Sequence, residues 1–195
     1  MENQETDERL LESAAKGQTQ AFQVLYERYR DPIFRFAYRM LGSAEAAEDV
    51  THDCFVSLIK EPSRFDENKA SLRTYLFAAA RNQSAKRYVN FNREAPLDDH
   101  SETFSAPDNH QPSQKVLDDE LASEVRRAIA NLPPLQREAL VLFEYEDLSL
   151  AEIGDIVGAD SNTVKARLFR ARDKLRSSLG RYFRIGRETA TVRRA

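Results

Sequence analysis

The sequence predicts an all-α protein of two small helical domains joined by a flexible linker, the second domain containing a helix-turn-helix. Three observations carry that expectation. Apolar residues recur at helical spacing along most of the chain, and no segment keeps the strict alternation of a strand. Only 6 glycines and 7 prolines occur in 195 residues, and Pro62, Pro96, Pro107 and Pro112 fall in stretches that read as loops. Most of the remainder is written in good helix formers. The segment "NREAPLDDHSETFSAPDNHQPSQK", from Asn92 to Lys115, holds three prolines, scattered Ser and Asp, and no apolar period, the composition of a tether. The expected divisions are a helical domain over residues 10–91, an acidic linker over 92–117, a helix-turn-helix domain over 118–180 and a basic tail over 181–195.

The elements follow in order. "AFQVLYERYR" sets Phe22, Leu25, Tyr26 and Tyr29 at helical spacing, and "DPIFRFAYRMLG" reads as a new helix with Asp31 as N-cap, Pro32 in its first turn and Gly42 as its stop. "SAEAAEDVTHDCFVSLIKEP" is capped by Ser43 and ends before Pro62. The loop "SRFDENKA" leads into "SLRTYLFAAARNQSAKRYVN", capped by Ser71. Beyond the linker a helix is expected from about Asp118 to Asn131, broken by Leu132-Pro133-Pro134, then another in "LQREALVLFEYE".

The last pair lies in "SLAEIGDIVGADSNTVKARLFRARDKLR". Ser149 can cap the first helix with Glu152 as its capping-box partner, and Ile153, Ile156 and Val157 form the buried face. Gly158-Ala159-Asp160 has the length of a helix-turn-helix turn, and Ser161 can cap the second helix. At about 100° per residue, Val164, Leu168, Ala171 and Leu175 make one buried stripe. The far side presents Asn162, Ala166 and Phe169, flanked by Thr163, Lys165 and Arg170. The N-terminal residues of a recognition helix reach base edges, so Asn162, Thr163, Lys165 and Ala166 are the candidate base readers, with Arg167 and Arg170 on phosphates. The bland alternative is a helical hairpin with a basic exterior.

Charge segregation favours the nucleic-acid reading. Net charge is only −3, yet from Ser161 to Ala195 eleven Lys and Arg face two acids. From Glu94 to Glu120 eight acids face Lys115 alone, as in a nucleic-acid binder with an acidic tether. The single Cys54 excludes an internal disulfide and sits on an apolar helical face; His52, His100 and His110 have no metal-ligand spacing with it. With no phosphate loop and no nucleophile–base pattern, an enzyme, a metal and a cofactor are not expected. The polar start "MENQETDERLLESAAKGQ" lacks the apolar core of a secretion signal, and no stretch approaches ~18 apolar residues. A soluble cytoplasmic protein is expected.

Two stretches upstream do not suit an ordinary repressor. On the helix beginning at Ala44, Ala47, Val50, Thr51, Cys54 and Leu58 share one side, while Glu45, Glu48, Asp49 and His52 share the other, with Asp53 at the flank. Such an acidic face suits a positively charged protein partner, or is simply solvated. On the helix from Ser71, Leu72, Tyr75, Leu76 and Ala79 read as the inner side; Arg73, Phe77, Arg81, Ser84 and Tyr88 share the outer side. Aromatics interleaved with arginine suit single-stranded nucleic acid. Packing of Phe77 and Tyr88 on neighbouring helices is the equal alternative.

From "AFQVLYERYRDPIFRFAYRMLGSAEAAEDVTHDCFVSLIK" through "FDENKASLRTYLFAAARNQSAKRY" to "LPPLQREALVLFEYEDLSLAEIGDIVGADSNTVKARLFRARDKLR", the chain resembles the two conserved domains of bacterial RNA polymerase sigma factors. It looks like the small extracytoplasmic-function (ECF) group. The resemblance implies a promoter-specificity subunit, not an enzyme, with core RNA polymerase and promoter DNA as partners and an anti-sigma protein as a further one. It implies that Asp49, Val50, Asp53 and Phe55 dock on the polymerase clamp. Asn68, Lys69, Arg73, Phe77, Arg81 and Tyr88 would capture the −10 element as single strand, and the helix-turn-helix would read the −35 element as duplex. One position departs: Tyr75 stands where the family usually has Trp, and the chain has no Trp. The competing reading is a stand-alone helix-turn-helix regulator on a palindromic site, but no dimer seam is legible, and a monomer is expected when free.

Overall fold

The computed structural model describes residues 5–94 and 115–192. The expected tether over 95–114 and the end of the expected tail over 193–195 lie outside the described residues. Among the described residues the chain forms eight α-helices and no strand.

The first helix, α1 (Asp7–Ala15), has Asp7 and Glu8 in its first turn, where acids complement the helix dipole, and buries Leu10 and Leu11. The next, α2 (Thr19–Leu41), is a finding against the sequence reading. It passes straight through Pro32, where a break capped by Asp31 was expected. Proline removes one backbone hydrogen bond, but Leu25, Tyr29, Ile33, Phe36 and Ala37 form one buried stripe on both sides of it. Packing of that stripe outweighs the local preference for a stop. Gly42 ends the helix at φ 77°, the left-handed turn that glycine takes without strain.

In α3 (Ala44–Lys60) the Ser43 hydroxyl accepts the Ala46 N–H at 3.2 Å, as its capping pattern requires, and Ala47, Val50, Thr51, Cys54, Phe55 and Leu58 are buried. A short 3-10 turn over Pro62–Arg64 starts the loop to α4 (Leu72–Glu94), where the Ser71 hydroxyl accepts the Thr74 N–H at 3.1 Å. The second unit comprises α5 (Lys115–Ala130), α6 (Pro134–Glu144), α7 (Leu150–Val157) and α8 (Ser161–Val192). Helices thus run into both ends of the expected tether. The last helix continues to Val192, where a stop near residue 180 was expected.

The two units touch. The α7 helix packs along α4, and α2 packs against α5 and α6. Buried side chains of both units form one continuous apolar cluster. No described helix is long and apolar enough to cross a membrane.

Candidate nucleic-acid interface and docking face

The turn between α7 and α8 fixes the helix-turn-helix. The Ser149–Glu152 capping box is complete: Glu152 accepts the Ser149 N–H at 2.8 Å, and Ser149 accepts the Glu152 N–H at 3.3 Å. Gly154 allows the turn to come close, since a Cβ there would stand 2.6 Å from the Ala159 carbonyl oxygen. The cap of α8 is Asp160, not Ser161. The Asp160 carboxylate accepts the N–H groups of Asn162 and Thr163 at 2.8 and 2.9 Å and the Thr163 hydroxyl at 2.8 Å. The Thr163 N–H chiefly, then its hydroxyl, holds this carboxyl below the usual range. A cap of this kind fixes the first turn of α8, the part that meets bases.

Beyond that turn, Asn162, Lys165 and Arg170 are exposed and Ala166 is half-buried. Val164, Leu168 and Ala171 are buried, as the stripe predicts. Phe169, on the same open side as Asn162 and Ala166, is 71% exposed. Arg167 turns the other way: its guanidinium lies 3.2 Å from Glu138 of α6. Arg172 is likewise fixed on α6, donating to Glu144 at 2.6 and 3.0 Å with its guanidinium over the Phe143 ring.

The acidic face of α3 is present, with one cation on it. Glu45, Glu48, Asp49 and His52 are exposed, and Arg87 of α4 reaches across to Asp53 at 2.8 Å and to Asp49 at 3.8 Å. Two of the four proposed docking residues are placed differently. Val50 and Phe55 are 0% and 2% exposed, and Phe55 packs edge-on against Phe22 and Tyr26. Both are core residues, so the surface is left to Asp49, Asp53 and their acidic neighbours. Cys54 is buried beside them, and burial pushes its thiol up to about 12, which leaves no thiolate at neutral pH.

The expected single-strand face divides into open and closed parts. At its open end the Asp66 carboxylate accepts the Asn68 N–H at 3.1 Å and pairs with Lys69 at 2.9 Å, shaping a turn on which Asn68 and Lys69 are exposed. Tyr75 packs edge-on against Phe65 of that loop at 5.6 Å, filling its inner position with a smaller ring than Trp. Tyr88, at the other end, is 36% exposed. Between them the face is covered. Phe77 is fully buried, edge-on to Phe36 at 5.7 Å, and is no stacking platform in this arrangement. Arg73 donates to the Glu146 carbonyl, and Arg81 donates to Glu138 at 3.0 Å. Of the two alternatives left open for Phe77, packing holds.

Comparison with known proteins decides what these surfaces belong to. The family model described as Sigma-70 region 2 matches residues 25–93, and that described as Sigma-70, region 4 matches residues 122–175. The ECF RNA polymerase sigma factor SigW of Bacillus subtilis is 30% identical over 177 residues, covering 87% of this chain and 94% of the relative. The chain belongs to the ECF RNA polymerase sigma factor family. Two solved structures share the fold. CnrH in complex with the cytosolic domain of CnrY has a TM-score of 0.68 at 24% identity, covering 90% of this chain and 98% of that one. RpoE of Bartonella quintana with the anti-sigma factor NepR has a TM-score of 0.62 at 23% identity, covering 82% and 96%.

In this sigma factor the region 2 match spans most of α2, α3 and nearly all of α4, and the region 4 match runs from α5 into α8. Sequence reasoning missed several residues that shape the sites. Asp160 was passed over because Ser161 is an equally good cap by type. Glu138 gave no signal, since its role depends on arginines from two distant helices. Phe169 was placed on the open side of its helix but not among the readers; its exposure marks it as a candidate apolar contact to a thymine methyl.

Proposed function

We propose that this sigma factor docks on core RNA polymerase through the acidic face of α3 and reads a promoter with two separate surfaces. Asp49 and Asp53, with Glu45 and Glu48 beside them, meet a basic protein surface; the ordering of Asp53 by Arg87 supports a fixed rather than a floppy acidic patch. The loop carrying Asn68 and Lys69, with Tyr88, Arg73 and Arg81 of α4, takes the −10 element as single strand, where rings stack on bases and arginines track phosphates. The capped first turn of α8 enters the major groove at the −35 element, with Asn162, Thr163, Lys165, Ala166 and Phe169 toward bases and Arg170 toward a phosphate. Arg167 joins it once freed from Glu138. The protein works in the cytoplasm, where its polymerase is, and an anti-sigma protein is a fitting regulator, as the NepR complex of the Bartonella quintana protein suggests.

The observation that carries this reading is the conjunction, in one chain, of an exposed acidic helix face with a capped recognition helix whose N-terminal turn is open. A duplex reader alone needs only the second. The test is co-elution of the full chain with sigma-free core polymerase on a sizing column. Co-elution that an Asp49→Arg, Asp53→Arg double variant loses is the expected result. Tight duplex binding with no co-elution at micromolar concentration would instead favour a stand-alone regulator.

A further inference from the structure

We propose that Arg87 of α4 is an internal competitor for the polymerase's cation: it holds the acidic docking face of α3 partly neutralised, so that docking is a cation exchange and removing Arg87 tightens it. This rests on the assignment of that face to core polymerase. One Arg87 nitrogen, Nη2, stands 2.8 Å from an Asp53 oxygen and 3.8 Å from an Asp49 oxygen. Those are the two carboxylates assigned to the basic partner. With Glu45 and Glu48, also exposed, the face offers four carboxylates, and Arg87 already answers to two of them.

The packing of α4 delivers the guanidinium there. At about 100° per residue Arg87 continues the stripe of Leu76 and Ala80, both fully buried. Its stem is therefore covered, and its head emerges at the edge of α3. The Arg87 side chain is 28% exposed, against 42% for Asp53 and 65% for Asp49. The cation is held by its stem while the carboxylates stay open to a partner.

Two effects of this contact oppose each other. Ordering Asp53 helps a partner that needs it, but a short side chain has few rotamers to lose, so the gain is small. Neutralisation works against docking. A basic surface approaching the face meets a cation already seated between its two targets. The pair is weak enough to give way, because an ion pair whose carboxylates are this exposed contributes little net stability. Charge therefore outweighs order, and Arg87 sets the affinity of the docking face without being one of its contacts.

The test titrates sigma-free core polymerase against the full chain labelled at its N-terminus, at low and high salt. Arg87→Gln is expected to bind about threefold tighter than the parent, mainly through a faster on-rate, as a charge change at an interface edge does. The gain should vanish at roughly 0.5 M salt, where screening cuts exposed charge interactions short. In an Asp53→Asn background Arg87→Gln should add little, since the nearer partner of the guanidinium is gone. Lys86→Gln, an equal charge change at the exposed neighbour, should leave affinity near that of the parent. Arg87→Met keeps the covered stem and should match Arg87→Gln, and circular dichroism checks that each variant is folded. Weaker docking by folded Arg87→Gln and Arg87→Met overturns the proposal, because it makes Arg87 an organiser of the face or a contact. Equal gains from Arg87→Gln and Lys86→Gln overturn it too, since net charge and not the pairing would then act. If the Asp49→Arg, Asp53→Arg variant binds core polymerase as the parent does, the docking assignment itself fails. Docking lost by that variant but untouched by Arg87→Gln sinks the proposal alone.

Discussion

Phe77 and Phe169 have the same local surroundings and opposite fates. Each is an aromatic on a helix with basic residues about one turn away: Arg73 and Arg81 around Phe77, Lys165 and Arg172 around Phe169. Phe77 is fully buried, while Phe169 is 71% exposed. Intrinsic preference does not separate them. What lies opposite does: Phe36 of α2 meets the Phe77 ring, and the α6–α7 edge takes the flanking arginines, whereas Phe169 stands on the side of α8 turned away from buried Val164, Leu168 and Ala171. A face of alternating arginine and aromatic is therefore two things at once. Its rings supply apolar area, and its guanidiniums satisfy carboxylates and carbonyls as readily as phosphates.

The sharpest way to break the comparison is to truncate both rings. Phe77→Ala should cost about 3–5 kcal/mol of folding stability, the usual range for emptying a packed aromatic site. Phe169→Ala should stay within about 0.5 kcal/mol, as an exposed side chain does, while weakening −35 duplex binding. Urea unfolding of the two variants beside the parent measures both. Equal losses would mean that Phe169 is covered in solution, and the contrast drawn here would disappear.

The open side of α8 depends on how closely α7 holds it, which a smaller perturbation probes. Gly154→Ala places a methyl against the Ala159 carbonyl, and backbone cannot move aside as a flexible side chain can. A loss of about 1–3 kcal/mol is expected, the scale of an overpacked contact. Duplex binding should fall with it, because the turn sets the angle of the reading helix. A thermal melt that matches the parent, with unchanged duplex binding, would show that the close approach is not needed.

How much of this was legible in the sequence follows the range of the forces involved. The caps at Ser43, Ser71 and Ser149, the stop at Gly42 and the buried stripe of α8 are set by neighbours within a turn, and each lies where the sequence puts it. The passage of α2 through Pro32 was not legible, because a long-range stripe overrides a local stop. Val50 lies on the inner side that its helical spacing gave it, whereas the burial of Phe55 was not read from the sequence; the family resemblance set both among the docking residues. The contact between the two units was least legible of all. Glu138, Arg81 and Arg167 are separated in the chain by 57 and 29 residues, and only the packing of two units brings them together.

Glu146 offers the smallest effect, and it tests what kind of partner the arginines of α2 and α4 have found. Its backbone carbonyl holds Arg73, while its carboxylate stands off from Arg39 at 3.7 Å. Burial, the largest cause, raises the Glu146 carboxyl above its ordinary value, with Arg35, Arg39 and Arg73 pulling it back. A carboxyl that binds its proton more tightly when folded adds stability below the unfolded value. That contribution is lost as pH rises through the raised folded value. Glu146→Gln keeps the shape and removes the titration. Its melting temperature relative to the parent should therefore rise between about pH 4 and pH 7, leaving the variant at least as stable at neutral pH. The opposite slope would mean that the Arg39 pairing outweighs burial, making the carboxylate, and not only the carbonyl beside it, a true partner between the two units.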